Sequence, residues 1–130
     1  MKTTAELSLF IVEDDTHFRD TFIDVMALRG VAVHGAATAL EGLHELRSRR
    51  PDVIILDVQL PDMHGFELCK RIKRIEAFRK TPVIFVSASS SYNDPRDRAE
   101  GMIAGASLFL PKPITVEKLW SQIEAVLKDR

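Results

Sequence analysis

A single cysteine, Cys69, rules out an internal disulfide and a multi-cysteine zinc site, a usage that fits a reducing compartment. Neither charge is in excess. Lys and Arg number 18 against 19 Asp and Glu, a net charge of −1, which argues against a dedicated nucleic-acid binder or a polybasic membrane module. The apolar runs Leu9–Val12, Val53–Leu56 and Val83–Val86 are far shorter than the roughly 20 residues a bilayer requires. Behind Met1–Glu6 there is no long apolar stretch and no small-residue cleavage site, so no secretory signal is expected and the chain is expected to be cytoplasmic. Repeats and linkers are missing as well, and the one biased patch, Ser87–Ser91, reads as a loop. What is present is the make-up of a globule: 130 residues, 45% hydrophobic and 28% charged. That is length for one domain, expected over 1–130 with its core from about 7 to 127.

Two kinds of segment alternate. Short β-branched and apolar runs occur at Leu7–Val12, Val31–His34, Val53–Leu56, Val83–Val86 and Leu108–Leu110. Runs this short, with little alternation, suit strands buried on both faces of a parallel sheet. Between them apolar residues recur at helical spacing: Phe18, Phe22, Val25 and Met26; Leu40, Leu43 and Leu46; Phe66, Cys69 and Ile72; Val116, Leu119, Ile123 and Val126. The punctuation agrees. Gly30 follows the first helical segment, Pro51 ends the second, and Pro82 precedes a strand. Asp94-Pro95-Arg96-Asp97 supplies a cap, a proline at the first helical position and an acid in the first turn of a weaker helix, about Pro95–Ala104, that Gly105 closes. Five β-α units make a doubly wound α/β domain with helices on both faces of the sheet.

In such a sheet the functional crevice lies beyond the carboxyl ends of the strands, where strand order reverses. The residues found there are Glu13-Asp14-Asp15 after the first strand and Asp57 after the third. Ser87-Ala88 follows the fourth, and Pro111-Lys112-Pro113 the fifth. If strands one and three are neighbours, Glu13, Asp14 and Asp57 converge. Like charges so close raise one another's pKa or need a cation. Hard oxygen ligands in a partly open site suit Mg²⁺, which keeps several waters and takes phosphate oxygens as further ligands. Lys112 is a point charge on a long stem, able to pair with a carboxylate at rest and with a phosphate later. Ser87 adds a hydroxyl. A metal, a nucleophilic carboxylate, a cation and a hydroxyl are the parts that phosphoryl transfer needs.

Four segments, in this order, resemble the receiver domain of two-component response regulators, similar to the stand-alone chemotaxis receiver. They are Phe10-Ile11-Val12-Glu13-Asp14-Asp15, the run Ile54–Gly65 around Asp57, Val86-Ser87-Ala88, and Phe109-Leu110-Pro111-Lys112-Pro113. The resemblance implies a flavodoxin-like five-stranded parallel sheet of order 2-1-3-4-5 with five helices in three α/β/α layers. It implies that Asp57 accepts a phosphoryl group from a phosphohistidine on a histidine kinase or histidine phosphotransfer protein. Asp14, Asp57 and the backbone carbonyl of Gln59 would hold Mg²⁺, with Glu13 acting at least through a bound water. Lys112 and Ser87 would bind phosphoryl oxygens, and Phe109 takes the aromatic switch position. The domain would be a signalling module that catalyses its own phosphorylation and slow dephosphorylation, not an enzyme acting on other substrates. The surface it switches would be the fourth helix, fifth strand and fifth helix. It would bind no nucleic acid or membrane directly, and would be a monomer or a weak phosphorylation-dependent dimer. Serine stands here where threonine is frequent, the switch is Phe rather than Tyr, and the stretch from Ala88 to Arg96 is longer than in most relatives.

Taken singly, most of these residues have plainer readings. An Asp after a strand is commonly a cap or turn residue, and Asp15 is expected to cap the first helix. His17, His34, His44 and His64 have no ligand spacing, and Cys69 is expected in the core. The basic stretch Lys70, Arg71, Lys73, Arg74, Arg79 and Lys80 reads as a solvated face. Trp120 is either partly exposed or docked on the sheet. Among rival functions, a flavodoxin-like electron carrier would need small hydroxylic or glycine residues where Glu13-Asp14-Asp15 stands, and no Walker lysine loop is present. An aspartyl phosphatase would want a second acid two residues after Asp57, where Gln59 stands. An unphosphorylated pseudo-receiver is disfavoured by the complete acid, hydroxyl and lysine set.

Overall fold

A computed structural model describes residues 2–88 and 94–129. Five strands, β1 (Ser8–Val12), β2 (Ala32–Ala36), β3 (Val53–Asp57), β4 (Val83–Ser87) and β5 (Leu108–Pro111), alternate with five helices. The helices are α1 (Thr16–Leu28), α2 (Ala39–Leu46), α3 (Gly65–Arg74), α4 (Pro95–Ile103) and α5 (Val116–Lys128). The strands form one sheet in the order β2-β1-β3-β4-β5, every neighbouring pair parallel.

The apolar runs of β1, β3 and β4 have the burial expected of them, whereas β2, at the edge of the sheet, buries only Ala36 and is not covered on both faces. Phe10, Val12, Ile54, Leu56 and Phe85 join the core beneath α2, α3 and α4, while Leu9, Ile11, Ile55, Ile84 and Val86 join the core beneath α1 and α5. Successive side chains thus enter opposite cores, which is why these strands show no polar alternation. Trp120, 6% exposed, docks in the second core, and Cys69 is fully buried in the first.

Local signals set most boundaries. The Asp15 carboxylate accepts from the Phe18 N–H at the start of α1, and Asp94 does the same for Arg96 at the start of α4. Gly30 and Gly105 have φ of +82° and +118° where α1 and α4 turn away.

Three local expectations need correction. β2 runs on through Gly35 and Ala36, because these residues pair with Ile11 and Val12 and so extend the ladder. Leu40 is 60% exposed, and α2 instead buries Ala39, Gly42 and Leu46. Lys73 is no part of a solvated face. Its ammonium donates to the carbonyls of Phe78 and Arg79, each at 3.3 Å, and to that of Thr81, tying α3 to the turn before β4. Residues 89–93, which hold most of the serine-rich patch and of the long 88–96 stretch, lie outside the described residues. Among the described residues no helix is long and apolar enough to cross a membrane.

Candidate functional site

Strand order reverses between β1 and β3, and their carboxyl ends stand side by side. Val12 pairs with Leu56, so the chain delivers Glu13 and Asp57 next to each other, and the Glu13 N–H is fixed by the Ala36 carbonyl of β2 at 3.0 Å. Glu13 is 2% exposed and Asp57 9%, while Asp14 is exposed. Each offers a carboxylate oxygen, and these oxygens lie within 4.8 Å of one another. Burial and the adjacent Glu13 carboxylate push the Asp57 carboxyl up to about 8, against the opposing pull of Lys112 and of the Gln59 N–H, which donates to Asp57 Oδ1 at 3.3 Å. Burial first, and the facing Glu13 second, disfavour a further negative charge here, so the pocket favours added positive charge. An all-oxygen donor set of this size fits a hard divalent cation.

Lys112 reaches the same pocket from the end of β5. Its N–H donates to the Ser87 carbonyl at 2.7 Å, and Ser87 pairs with Pro111 across the sheet. The lysine backbone is thereby fixed to the end of β4. Its ammonium pairs with Glu13 Oε1, so the resting carboxylate partner is Glu13 rather than Asp57. The peptide bond to Pro113 is cis. Ser87 is 2% exposed at the last position of β4, and Gln59 sits exposed just beyond β3, bridged to His64.

Phe109 lies on β5 and is 7% exposed, already inside the core. Its ring meets Phe85 at 5.9 Å and Phe66 at 6.4 Å between centroids, with the buried Gly101 of α4 against it. The Arg98 guanidinium of α4 lies 5.9 Å over the ring. The aromatic thus has an inward place in the core, and what roofs it is α4.

Several site residues were not singled out from the sequence. Asp62, in the loop after β3, accepts from the N–H groups of Ala39 and Leu40 at 2.9 Å each and so caps α2 from 23 and 22 residues away; burial alone would raise its pKa, but the N–H groups of Leu40, Ala39 and Asp62 itself together hold it below the usual carboxylate range. The Arg19 guanidinium braces the Glu13 carbonyl at 2.7 Å, and Phe18 presents its ring to Lys112. None of these contacts leaves a local signal. Gly65 does stand in the quoted Asp57 segment, and its role is close approach. A Cβ there would come within 2.4 Å of the Asp57 carbonyl oxygen and 2.8 Å of Val58 Cα. Its N–H donates to the Val58 carbonyl at 2.6 Å, folding the loop back onto β3. Gly65→Ala is expected to lower stability by about 1–3 kcal/mol in urea unfolding, because backbone rather than a flexible side chain must yield.

A doubly wound parallel sheet with a carboxylate cluster, a lysine and a hydroxyl at its switch point belongs to the flavodoxin-like class of single-site α/β domains. Residues 9–124 match the model of the response regulator receiver domain, so the chain belongs to that family, a signalling domain of two-component systems. It is 38% identical over 121 residues to the transcriptional regulatory protein AfsQ1 of Streptomyces coelicolor, covering 93% of this chain and 51% of that protein. It is 30% identical over 122 residues to the response regulator MprA of Mycobacterium avium, covering 94% and 51%. The chain thus spans about half the length of these curated relatives. Among solved structures, the chemotaxis response regulator CheY4 of Vibrio cholerae superposes with a TM-score of 0.84 at 29% identity, covering 92% of this chain and 98% of that one. A CheY-like receiver domain protein of Methanospirillum hungatei gives 0.85 at 27%, covering 95% and 94%.

Proposed function

We propose that this domain accepts a phosphoryl group on Asp57 from a phosphohistidine of a histidine kinase or histidine phosphotransfer protein, in a Mg²⁺-dependent step, as a cytoplasmic signalling module. The observation that carries this reading is the meeting of Asp57, Glu13 and Asp14 within 4.8 Å at the switch point, with Lys112 entering the same pocket. An Asp57 oxygen attacks phosphorus, an O–P bond forms as the N–P bond of the donor breaks, and the freed imidazole nitrogen keeps the electron pair and takes up a proton. Glu13, Asp14, Asp57 and the Gln59 carbonyl would hold Mg²⁺, which supplies the positive charge that lets an anionic phosphoryl group approach three acids. Ser87 and Lys112 then bind phosphoryl oxygens, the lysine exchanging its Glu13 partner for them.

The output on this reading is a change at α4, β5 and α5. The part of this surface least held by packing is α4, which lies over the Phe109 ring through Gly101 and Arg98 and buries only Gly101 among its own residues. The domain acts on no separate substrate. It is proposed to occupy the whole of 1–130, to be a monomer or weak phosphorylation-dependent dimer, and to make no direct nucleic-acid or membrane contact. Incubation with acetyl phosphate and Mg²⁺ should add one phosphoryl group by intact mass, and EDTA should prevent it. A protein that stays unmodified with metal and donor present would overturn the reading.

A further inference from the structure

We propose that Phe18 is a positioning residue that parks the Lys112 ammonium on the α1 side of the crevice and so competes with the phosphoryl group for it. The inference rests on the phosphoryl-acceptor reading above. Lys112 Nζ lies 4.6 Å from the centroid of the Phe18 ring while it pairs with Glu13. The lysine side chain is 14% exposed, so the ring face acts on a cation largely removed from water, where such contacts are strongest.

The ring is held in place. The Phe18 N–H donates to Asp15 Oδ1 at 3.1 Å, the Asp15 N–H donates to Glu13 Oε2 at 3.1 Å, and the neighbouring Arg19 holds the Glu13 carbonyl. Residues 13–19 thus form one braced unit that presents a carboxylate and an aromatic face to the same ammonium. The lysine's backbone is bound to Ser87, so only its flexible stem is free to change partners. Beside it, Phe18, Ala88, Lys112, Pro113 and Ile114 line an open crevice of about 380 Å³, room enough for that stem to swing. Lys112 thus has two resting partners, and a phosphoryl group on Asp57 must draw it from both. Glu13 remains a charged neighbour throughout; the ring's attraction is short-ranged and is forfeited when the ammonium leaves.

Phe18 also packs against the core beneath α1 and α5. If packing were its whole role, substitutions would weaken the protein and its anion site alike. Parking makes a different demand: the weaker the ring's hold on a cation, the tighter the phosphoryl site. The test is a titration of Mg²⁺-loaded protein with beryllofluoride, a phosphoryl mimic, followed by calorimetry. Phe18→Leu should bind beryllofluoride roughly two- to tenfold more tightly than the wild type, with Phe18→Met alike as a second apolar variant. Phe18→Trp, the better cation acceptor, should bind no more tightly than the wild type. In a Lys112→Met background the three substitutions should lose their differences, because the pairwise coupling has been removed. Equal or weaker binding by both Leu and Met variants, or an enhancement that persists without Lys112, overturns the proposal. A wild type that binds no beryllofluoride and takes no phosphoryl group from acetyl phosphate removes the acceptor reading and this one with it. A wild type that does both, with indifferent Phe18 variants, removes this one alone.

Discussion

Asp57→Asn is expected to take up no phosphoryl group under conditions that load the wild type, and to be the more stable protein at neutral pH when metal is absent. The first effect is total because the amide is a poor nucleophile and the other carboxylates are committed elsewhere: Glu13 to Lys112, and Asp14 exposed at the rim. The second follows from the proton affinity of Asp57, which burial and Glu13 raise from 3.8 to about 8. Between those values the folded protein holds a proton that the unfolded chain has released. The stabilising contribution is complete below about pH 4 and is lost as pH rises through about 8, so metal-free stability should fall across that window. The fall is on the order of a few kcal/mol. An asparagine has no proton to lose and flattens the profile. Saturating Mg²⁺ should reverse the slope for the wild type, since the metal takes the ionised carboxylates. Urea titrations at several pH values with EDTA or Mg²⁺ read all of this. A metal-free wild type as stable at pH 8 as at pH 5 would remove the electrostatic account of the site, and a mutant modified to the wild-type extent would remove Asp57 as the acceptor.

Asp14→Ala should weaken Mg²⁺ binding by roughly tenfold or more, since one unit charge about 4 Å from a dication is worth on the order of several kcal/mol near a protein surface. Phosphoryl uptake should fall with it at limiting Mg²⁺ and recover in part when the metal is raised. Without metal the same variant should be more stable than the wild type, because an exposed acid facing two others contributes repulsion and little packing. Opposite signs in the two measurements distinguish a ligand from a structural residue. Asp15→Ala, whose carboxylate caps α1, should instead lose about 1 kcal/mol with or without Mg²⁺. Calorimetry showing undiminished Mg²⁺ affinity in Asp14→Ala would remove it from the site.

Much of the architecture could be read from neighbouring residues. Strands buried on both faces are unbroken apolar runs, and helix ends carry their own signals in Asp15, Gly30, Asp94 and Gly105. Each is a property of a few adjacent residues, so the sequence alone determined five β-α units and placed Asp57, Ser87 and Lys112 at or just past strand ends. The strand order came with the family resemblance, because no local pattern says which strands are neighbours. Everything that depends on that adjacency was decided by tertiary structure. Lys112 meets Glu13 across 99 residues, and Asp62 caps a helix 23 residues before it. Lys73 and Leu40 show the limit within single helices, where spacing places a side chain on a face but not against a partner. Lys73 finds carbonyls and is drawn in, whereas Leu40 finds none of the core and stays in water. The raised proton affinity of Asp57 belongs to the same class. It comes from lost water and from Glu13 standing across the strand gap, and both exist only once β1 and β3 lie side by side.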